Sequence, residues 1–297
     1  MISPEDFRPV TLSDRTFFEK HYALYPQTHS DNTFTNMVCW NHYAYYQYAF
    51  LEKNLIIAST IDGTTRFRAP IGPRNPALLK NLVSLASKVS DNEPIVLIDP
   101  ETARWMRRIC PGINIVPDRD HFEYVYRATD LAELPGKNYL TIRRQVNKFR
   151  KKCSGVTEPL TMENREEVKR FLIEWCEWKG CKGVPVLAHE KEAIFFAVDH
   201  FDQLPVQGLI IRVDSRIVAI SLFEQLTADT ALVHFEKGLS DCEGVYKVIN
   251  TETARHLASG FTYINRESDL GIPGLREAKT RYHPDHLVEV YSLKLDS

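Results

Sequence analysis

The side chains best suited to chemistry gather between Tyr263 and Pro284. There an apolar strand pattern runs straight into Asn265-Arg266-Glu267-Ser268-Asp269, then a Gly/Pro turn, then a short helix carrying Arg276 and Lys279. A charge cluster at the C-terminal end of a strand is where α/β proteins place ligands. Strand alternation puts Asn265 and Glu267 on one face and Arg266 on the other. Arg276 and Lys279, three residues apart, are expected to point the same way. In that pattern Lys279 and Arg276 suit stabilisation of an oxyanion or binding of phosphate. Asn265, Arg266, Asp269 and Tyr282 suit substrate contacts. A second short segment, His234-Phe235-Glu236-Lys237-Gly238, ends another strand. His234 and Glu236 share one face, Phe235 and Lys237 the other. Glu236 or Glu267 suits anchoring of an ammonium group or proton transfer. An ordinary Glu–Lys pair at a strand edge and a purely structural charge network are the plain alternatives.

A third feature is electrostatic. Residues 137–152 contain seven basic residues and no acidic one. On a helix, Tyr139, Ile142, Val146 and Phe149 form the docking face, and Arg143, Arg144, Lys148 and Lys151 form the projecting face. Such a stripe suits phosphate groups on RNA, a lipid headgroup or a cofactor. The alternative is a solvated face neutralised by neighbouring acids. The overall charge does not decide between them, because the net value is -2.

These residues need elements to hold them. The chain has 297 residues, 43% hydrophobic and 26% charged, which suits one large or two ordinary globular domains and excludes disordered, collagenous and coiled-coil classes. No apolar run approaches the roughly 20 residues of a membrane span, and no signal peptide is read, so a cytoplasmic protein is expected. Six scattered cysteines without Cys-x-x-Cys suggest reduced, mostly buried thiols.

Periodicity gives one element order twice: helices, a three-strand meander, helix, strand, helix, strand. In the first half the meander spans 43–71 and a strand near 122–127 closes the set. In the second, strands are expected over 206–213, 216–225 and 231–236, a helix over 245–259, and a closing strand over 287–295. Asn164 and Glu167 resemble a capping box. The order is that of an acetyltransferase-like (GNAT) domain. The expectation is therefore an α+β or α/β chain of tandem GNAT-like domains, with mixed central sheets flanked by helices. The simplest boundary is the Leu134-Pro135-Gly136 turn. Residues 1–135 then read as scaffold, and residues 136–297 carry the active site.

Some motifs are missing. Acetyltransferases cradle the CoA pyrophosphate in a Gly-rich turn before the long helix. Here that stretch, 238–244, contains Asp241 and Glu243, which repel pyrophosphate. No zinc-binding spacing occurs, so neither a metal nor a cofactor is expected, and acetyl-CoA enters only under an alternative reading.

The run Asn265-Arg266-Glu267-x-Asp269-Leu270-Gly271-Ile272-x-Gly274-Leu275-Arg276-x-Ala278-Lys279-x-x-Tyr282-x-Pro284 resembles the signature of an uncharacterised family. That family shares the C-terminal catalytic domain of bacterial phosphatidylglycerol lysyltransferases. Asp31-x-Thr33-Phe34-Thr35-Asn36 with Trp40, Lys137-x-Tyr139-x-x-x-Arg143 with Asn147 and Phe149, and Phe235-Glu236-Lys237 are similar to its other marks. The resemblance implies a tandem acetyltransferase-like fold related to Fem-type peptidyltransferases. It also implies transfer of an aminoacyl group from aminoacyl-tRNA without CoA. Lys279-Thr280-Arg281-Tyr282-His283-Pro284 is similar to the Lys-x-Lys-Phe-x-Pro stretch of the lysyltransferase active site, which makes Lys279 the residue the resemblance favours most. The absence of a membrane region sets this chain apart from those enzymes and leaves the acceptor, lipid headgroup or small molecule, open. Three readings result: an aminoacyltransferase using aminoacyl-tRNA, a CoA-dependent N-acyltransferase, and a non-catalytic module binding RNA or anionic membrane through residues 137–152.

Overall fold

The computed structural model describes residues 2–90, 92–239, 241 and 243–295, with only the backbone of Lys182. Ser240 and Cys242 of the expected pyrophosphate turn lie outside the described residues. Among the described residues fourteen strands are formed: β1 Arg8–Pro9, β2 Gln47–Leu51, β3 Asn54–Ile61, β4 Thr64–Phe67, β5 Ile95–Ile98, β6 Asn114–Pro117, β7 Glu123–Arg127, β8 Val156–Pro159, β9 Val206–Val213, β10 Arg216–Gln225, β11 Thr230–Gly238, β12 Tyr263–Ser268, β13 His286–Val288 and β14 Tyr291–Lys294. They build two seven-stranded sheets, ordered β1-β2-β3-β4-β5-β14-β6 and β13-β7-β12-β11-β10-β9-β8. Each contains an antiparallel meander followed by one parallel pair, β4 with β5 and β11 with β12. The doubled element order read from periodicity is therefore present.

The division of the chain differs from a cut at 135/136. One compact unit holds the described residues up to Phe122, the loop Ser268–Ile272 and the chain from Val288 onward. The other holds Glu123–Glu267 and Pro273–Leu287. The closing strands are exchanged. β14, expected to finish the second half, lies between β5 and β6 of the first sheet, pairing Leu293 with Ile95 on one side and with Ile115 on the other. β7, expected to finish the first half, lies in the second sheet beside β12. The hydrophobic pattern of a strand says that it is buried on both faces, as Glu123, Tyr124, Val125 and Tyr126 are. It does not say in which of two like sheets. Tyr124, Tyr126 and the helix residues Ala128, Leu131 and Ala132 then complete a core with Val233, Val248, Ile249 and Ile264. The first unit has its own core around Ile56, Leu79, Leu82, Met106 and Leu293.

Local chemistry explains most element starts. Asp99 accepts from the backbone N–H of Glu101 and Thr102 and, with Pro100, opens the helix Pro100–Ile109. Asn75 does the same for Pro76–Val89 through Leu78. The basic segment is the helix Leu140–Cys153, docked by Ile142, Val146 and Phe149. Three local expectations fail. Asn164 does not cap its helix: its Oδ1 accepts from Thr161 N–H at 2.9 Å, and Glu167 reaches Arg212 instead, Oε2 to Nη1 2.6 Å. The Tyr-rich segment starts as the short helix Asn41–Ala44, left through Tyr45 at φ +42°, so the strand begins only at Gln47. Cys176 and Cys181 form a disulfide across five residues, against the expected all-thiol state.

Candidate active site

The site is built where β11 and β12 part. Their parallel ladder pairs Thr230 with Tyr263, Ala231 with Ile264 and Leu232 with Asn265, and goes no further. β11 nevertheless runs on to Gly238 and β12 to Ser268. The backbone groups beyond the ladder leave a gap that side chains fill.

Arg266 and Glu236 bridge it. The Nη2 of Arg266 lies 2.5 Å from Oε2 of Glu236, and the two side chains are 18% and 10% exposed. Burial disfavours the charge of the guanidinium, but Glu236 outweighs it and raises Arg266 above the ordinary arginine value. Asn250 sits beside them: with its amide oxygen toward Arg266 it accepts from Nε at 3.1 Å. The guanidinium also lies over two aromatic rings, 5.0 Å from the Tyr282 centroid and 5.9 Å from that of Tyr126. An arginine held this way is a fixed positive charge.

Two lysines surround it. Lys279 donates from Nζ to the backbone oxygen of Arg266, and its own carbonyl accepts from Tyr126 Oη at 2.9 Å. Lys247 places Nζ 4.8 Å from the Tyr282 ring centroid. Burial, and then repulsion from Arg266, pushes each of them down to about 8, with acidic neighbours offsetting only part of the fall. Near neutral pH each ammonium is therefore ready to lose its proton, the state a general base requires.

A buried polar chain supports the same strand end. His234 lies between two carboxylates, Nε2 3.0 Å from Glu224 Oε1 and Nδ1 3.4 Å from Glu267 Oε1. Burial opposes its charge, but the hydrogen bond and charge of Glu224, and then Glu267, raise it to about 10, so the ring is an imidazolium. Glu267 adopts φ +61°, the left-handed region that disfavours a side chain. Its N–H donates to Asn265 Oδ1 at 2.8 Å, and Asn265 Nδ2 donates to the fully buried Glu123 at 2.7 Å. The strain at Glu267 is thus held by a fixed amide.

Of the residues singled out from sequence, Lys279, Glu236, Arg266, Glu267, Asn265 and Tyr282 come together here. Five do not join them. Arg276 turns to a surface hollow with Glu277, Thr280 and Arg281, one that does not include Lys279. Lys237, on the opposite face of β11, pairs with Glu190 at 2.6 Å over the Trp175 ring. Asp269 is buried in the other unit, where it accepts from Gly271 N–H and pairs with Arg119 at 3.2 Å. Arg143 caps carbonyls of Leu134 and Gly136. Lys148 pairs with Glu243, and Arg150 of the same stripe with Glu252. Sequence reading missed Lys247, Tyr126, Asn250, Glu123 and Glu224. One signal was available for Glu123: an acid inside the otherwise aromatic and aliphatic run Phe122–Tyr126 has to be paired. Among the described residues no group of three metal-binding side chains is found, and no helix is long and apolar enough to cross a membrane.

Comparison with known proteins bears on the family and the fold. The family model described as phosphatidylglycerol lysyltransferase, C-terminal, matches residues 22–294. A conserved protein of unknown function from Bacteroides thetaiotaomicron is 28% identical, with TM-score 0.90 over 99% of this chain and 100% of that one. The structure of L-PGS from Bacillus licheniformis gives TM-score 0.66 at 12% identity, over 96% of this chain and 93% of that one. A tandem GNAT protein from the clavulanic acid biosynthesis pathway gives TM-score 0.50 at 10% identity, over 98% and 99%. No curated protein matches. Fold and family model converge: the chain has the fold of tandem GNAT-like units and belongs to the phosphatidylglycerol lysyltransferase C-terminal family, which is of acyltransferase kind.

Proposed function

We propose that this protein transfers an aminoacyl group from aminoacyl-tRNA to an amine or hydroxyl acceptor. The observation that carries the reading is the pair of near-neutral lysines, Lys279 and Lys247, around the fixed Arg266–Glu236 charge pair at the parted strands. The acceptor nitrogen or oxygen attacks the ester carbonyl of the aminoacyl-tRNA, forming the new C–N or C–O bond. Lys279 in its neutral form takes the acceptor's proton and returns it to the departing ribose oxygen as the ester bond breaks. Arg266, held charged, stabilises the negative charge that develops on the carbonyl oxygen. Glu267, half-buried at the strand end, anchors the α-ammonium of the aminoacyl group. Three cations of the helix Leu140–Cys153, Arg144, Lys151 and Lys152, are exposed and suit the phosphates of the tRNA.

The packing of Gly244 weighs against a CoA-dependent reading. It precedes the helix Val245–Leu257 at φ +93°, and a Cβ there would meet the backbone oxygen of Gln145 at 2.5 Å. The turn that would hold a pyrophosphate is thus pressed against a carbonyl. The test is incubation of the full chain with labelled aminoacyl-tRNAs and a panel of amines, hydroxyls and lipid headgroups. Transfer is expected, and calorimetry with acetyl-CoA is expected to give no binding. Absence of transfer from every aminoacyl-tRNA, or tight acetyl-CoA binding, overturns the proposal.

A further inference from the structure

The parallel pair of the first sheet also opens at once, pairing only Phe67 with Ile95. Beyond it lies a cavity of about 710 Å³, lined by Arg68–Gly72 and Arg74 after β4, by the end of β5 and the residues after it from Leu97 to Thr102 with Arg104, and by residues of 24–32 and 288–290. That volume falls within the roughly 300–1,000 Å³ of small-molecule sites. All of these residues belong to the first unit.

Arg68 in the cavity wall is only 4% exposed. Its Nε donates to Asn32 Oδ1 at 3.2 Å, while its Nη1 is buried with no hydrogen-bond partner. It forms no ion pair among the described residues. A guanidinium does not escape burial by losing its proton, so a buried one without a counter-ion is a costly arrangement unless something else supplies the negative charge. The other charges of the wall are Arg74 and Arg104 and the carboxylates Asp99, Glu101 and Glu289. Arg74 donates to Thr102 Oγ1 and Glu101, and Asp99 caps its helix. Leu97, Ile98 and Val290 form an apolar part of the wall, and Gln27, Thr28 and His29 add polar groups.

We propose that this cavity is a second ligand site, which takes a small molecule with an anionic group, carboxylate or phosphate, on Arg68 and an apolar body against Leu97 and Val290. The anion would accept from Nη1 of the Arg68 guanidinium, the group that has no hydrogen-bond partner in the protein. The site stands apart from Lys279 and Arg266, and it does not rest on the aminoacyl-transfer reading.

The test is calorimetric titration of the full chain with benzoate, phenyl phosphate and inorganic phosphate, each against an uncharged analogue such as benzyl alcohol. Saturable one-to-one binding of benzoate or phenyl phosphate is expected, with none by benzyl alcohol; the preferred probe identifies a carboxylate or a phosphate ligand. Arg68→Met is expected to weaken binding by about tenfold or more, as loss of a charge-assisted hydrogen bond requires. Because a buried arginine can matter for folding, Leu24→Trp, at the exposed rim, serves as a second variant and is expected to weaken binding while leaving the far-ultraviolet circular dichroism unchanged. No saturable binding of any anionic probe, equal binding of benzyl alcohol, or binding undisturbed by either variant overturns the proposal.

Discussion

The two sheets share a plan and differ in what fills it. Each has a meander, a parallel pair that opens early, and a closing strand taken from the other end of the chain order. In the second sheet the opening is bridged by Arg266 and Glu236 and flanked by two lysines poised near neutral pH. In the first the opening is left as a cavity beside a buried arginine whose Nη1 has no hydrogen-bond partner among the described residues. The lesson is that a parted parallel pair is only a place. The charge chemistry of a few side chains decides whether it favours proton transfer or ligand binding.

The largest expected effect concerns the exchanged strand. Ending the chain at Val288 removes β14 from between β5 and β6, leaving unpaired backbone on both neighbours. The first unit is expected to lose cooperative unfolding, read by urea denaturation. Unchanged unfolding would mean that β14 does not complete that sheet. Next in size is Arg266→Met, which strands the carboxylate of Glu236 in a buried place and should cost about 4 kcal/mol. A loss under about 1 kcal/mol in the same denaturation experiment would show that the pair is not buried as described.

His234→Gln should cost about 3 kcal/mol at pH 6, because Glu224 loses its charged partner. The folded-state pKa stands at about 10, above the ordinary 6.5. The stabilisation is therefore fully present below pH 6.5 and fades as pH rises toward 10, so the gap between variant and parent should close over that window. A pH-independent gap would contradict the imidazolium assignment. The smallest effect belongs to Lys148→Ala. Its pairing with Glu243 is exposed, so stability should change by less than about 0.5 kcal/mol.

How far the sequence led depends on the distance over which each property is decided. Helix starts such as Asp99-Pro100 and the buried face of Leu140–Cys153 are local and were legible. So was the strand end that carries Arg266 and Glu267, because charge following an apolar run is visible in one dimension. The exchange of β7 and β14 was not legible, since both strands fit either sheet equally well by pattern. Lys247 was missed because its role comes from the Tyr282 ring and Arg266, far along the chain. Asp269 shows the opposite error: its neighbours in sequence belong to the cluster, but the loop Ser268–Ile272 turns into the other unit. The stripe over 137–152 contains both outcomes, with Arg143, Lys148 and Arg150 engaged by the protein and Arg144, Lys151 and Lys152 exposed.

The central claim is that Lys279 is the base of an aminoacyl transfer. Its folded-state pKa lies below the ordinary 10.5, at about 8, so the catalytically competent neutral form grows as pH rises through 8. The direct test is single-turnover transfer from labelled aminoacyl-tRNA across pH 6–10, for the parent and for Lys279→Met. The parental rate is expected to rise with an apparent pKa near 8, and the variant to lose about 100-fold in rate together with that rise. A variant that transfers at the parental rate with the same pH profile would contradict it.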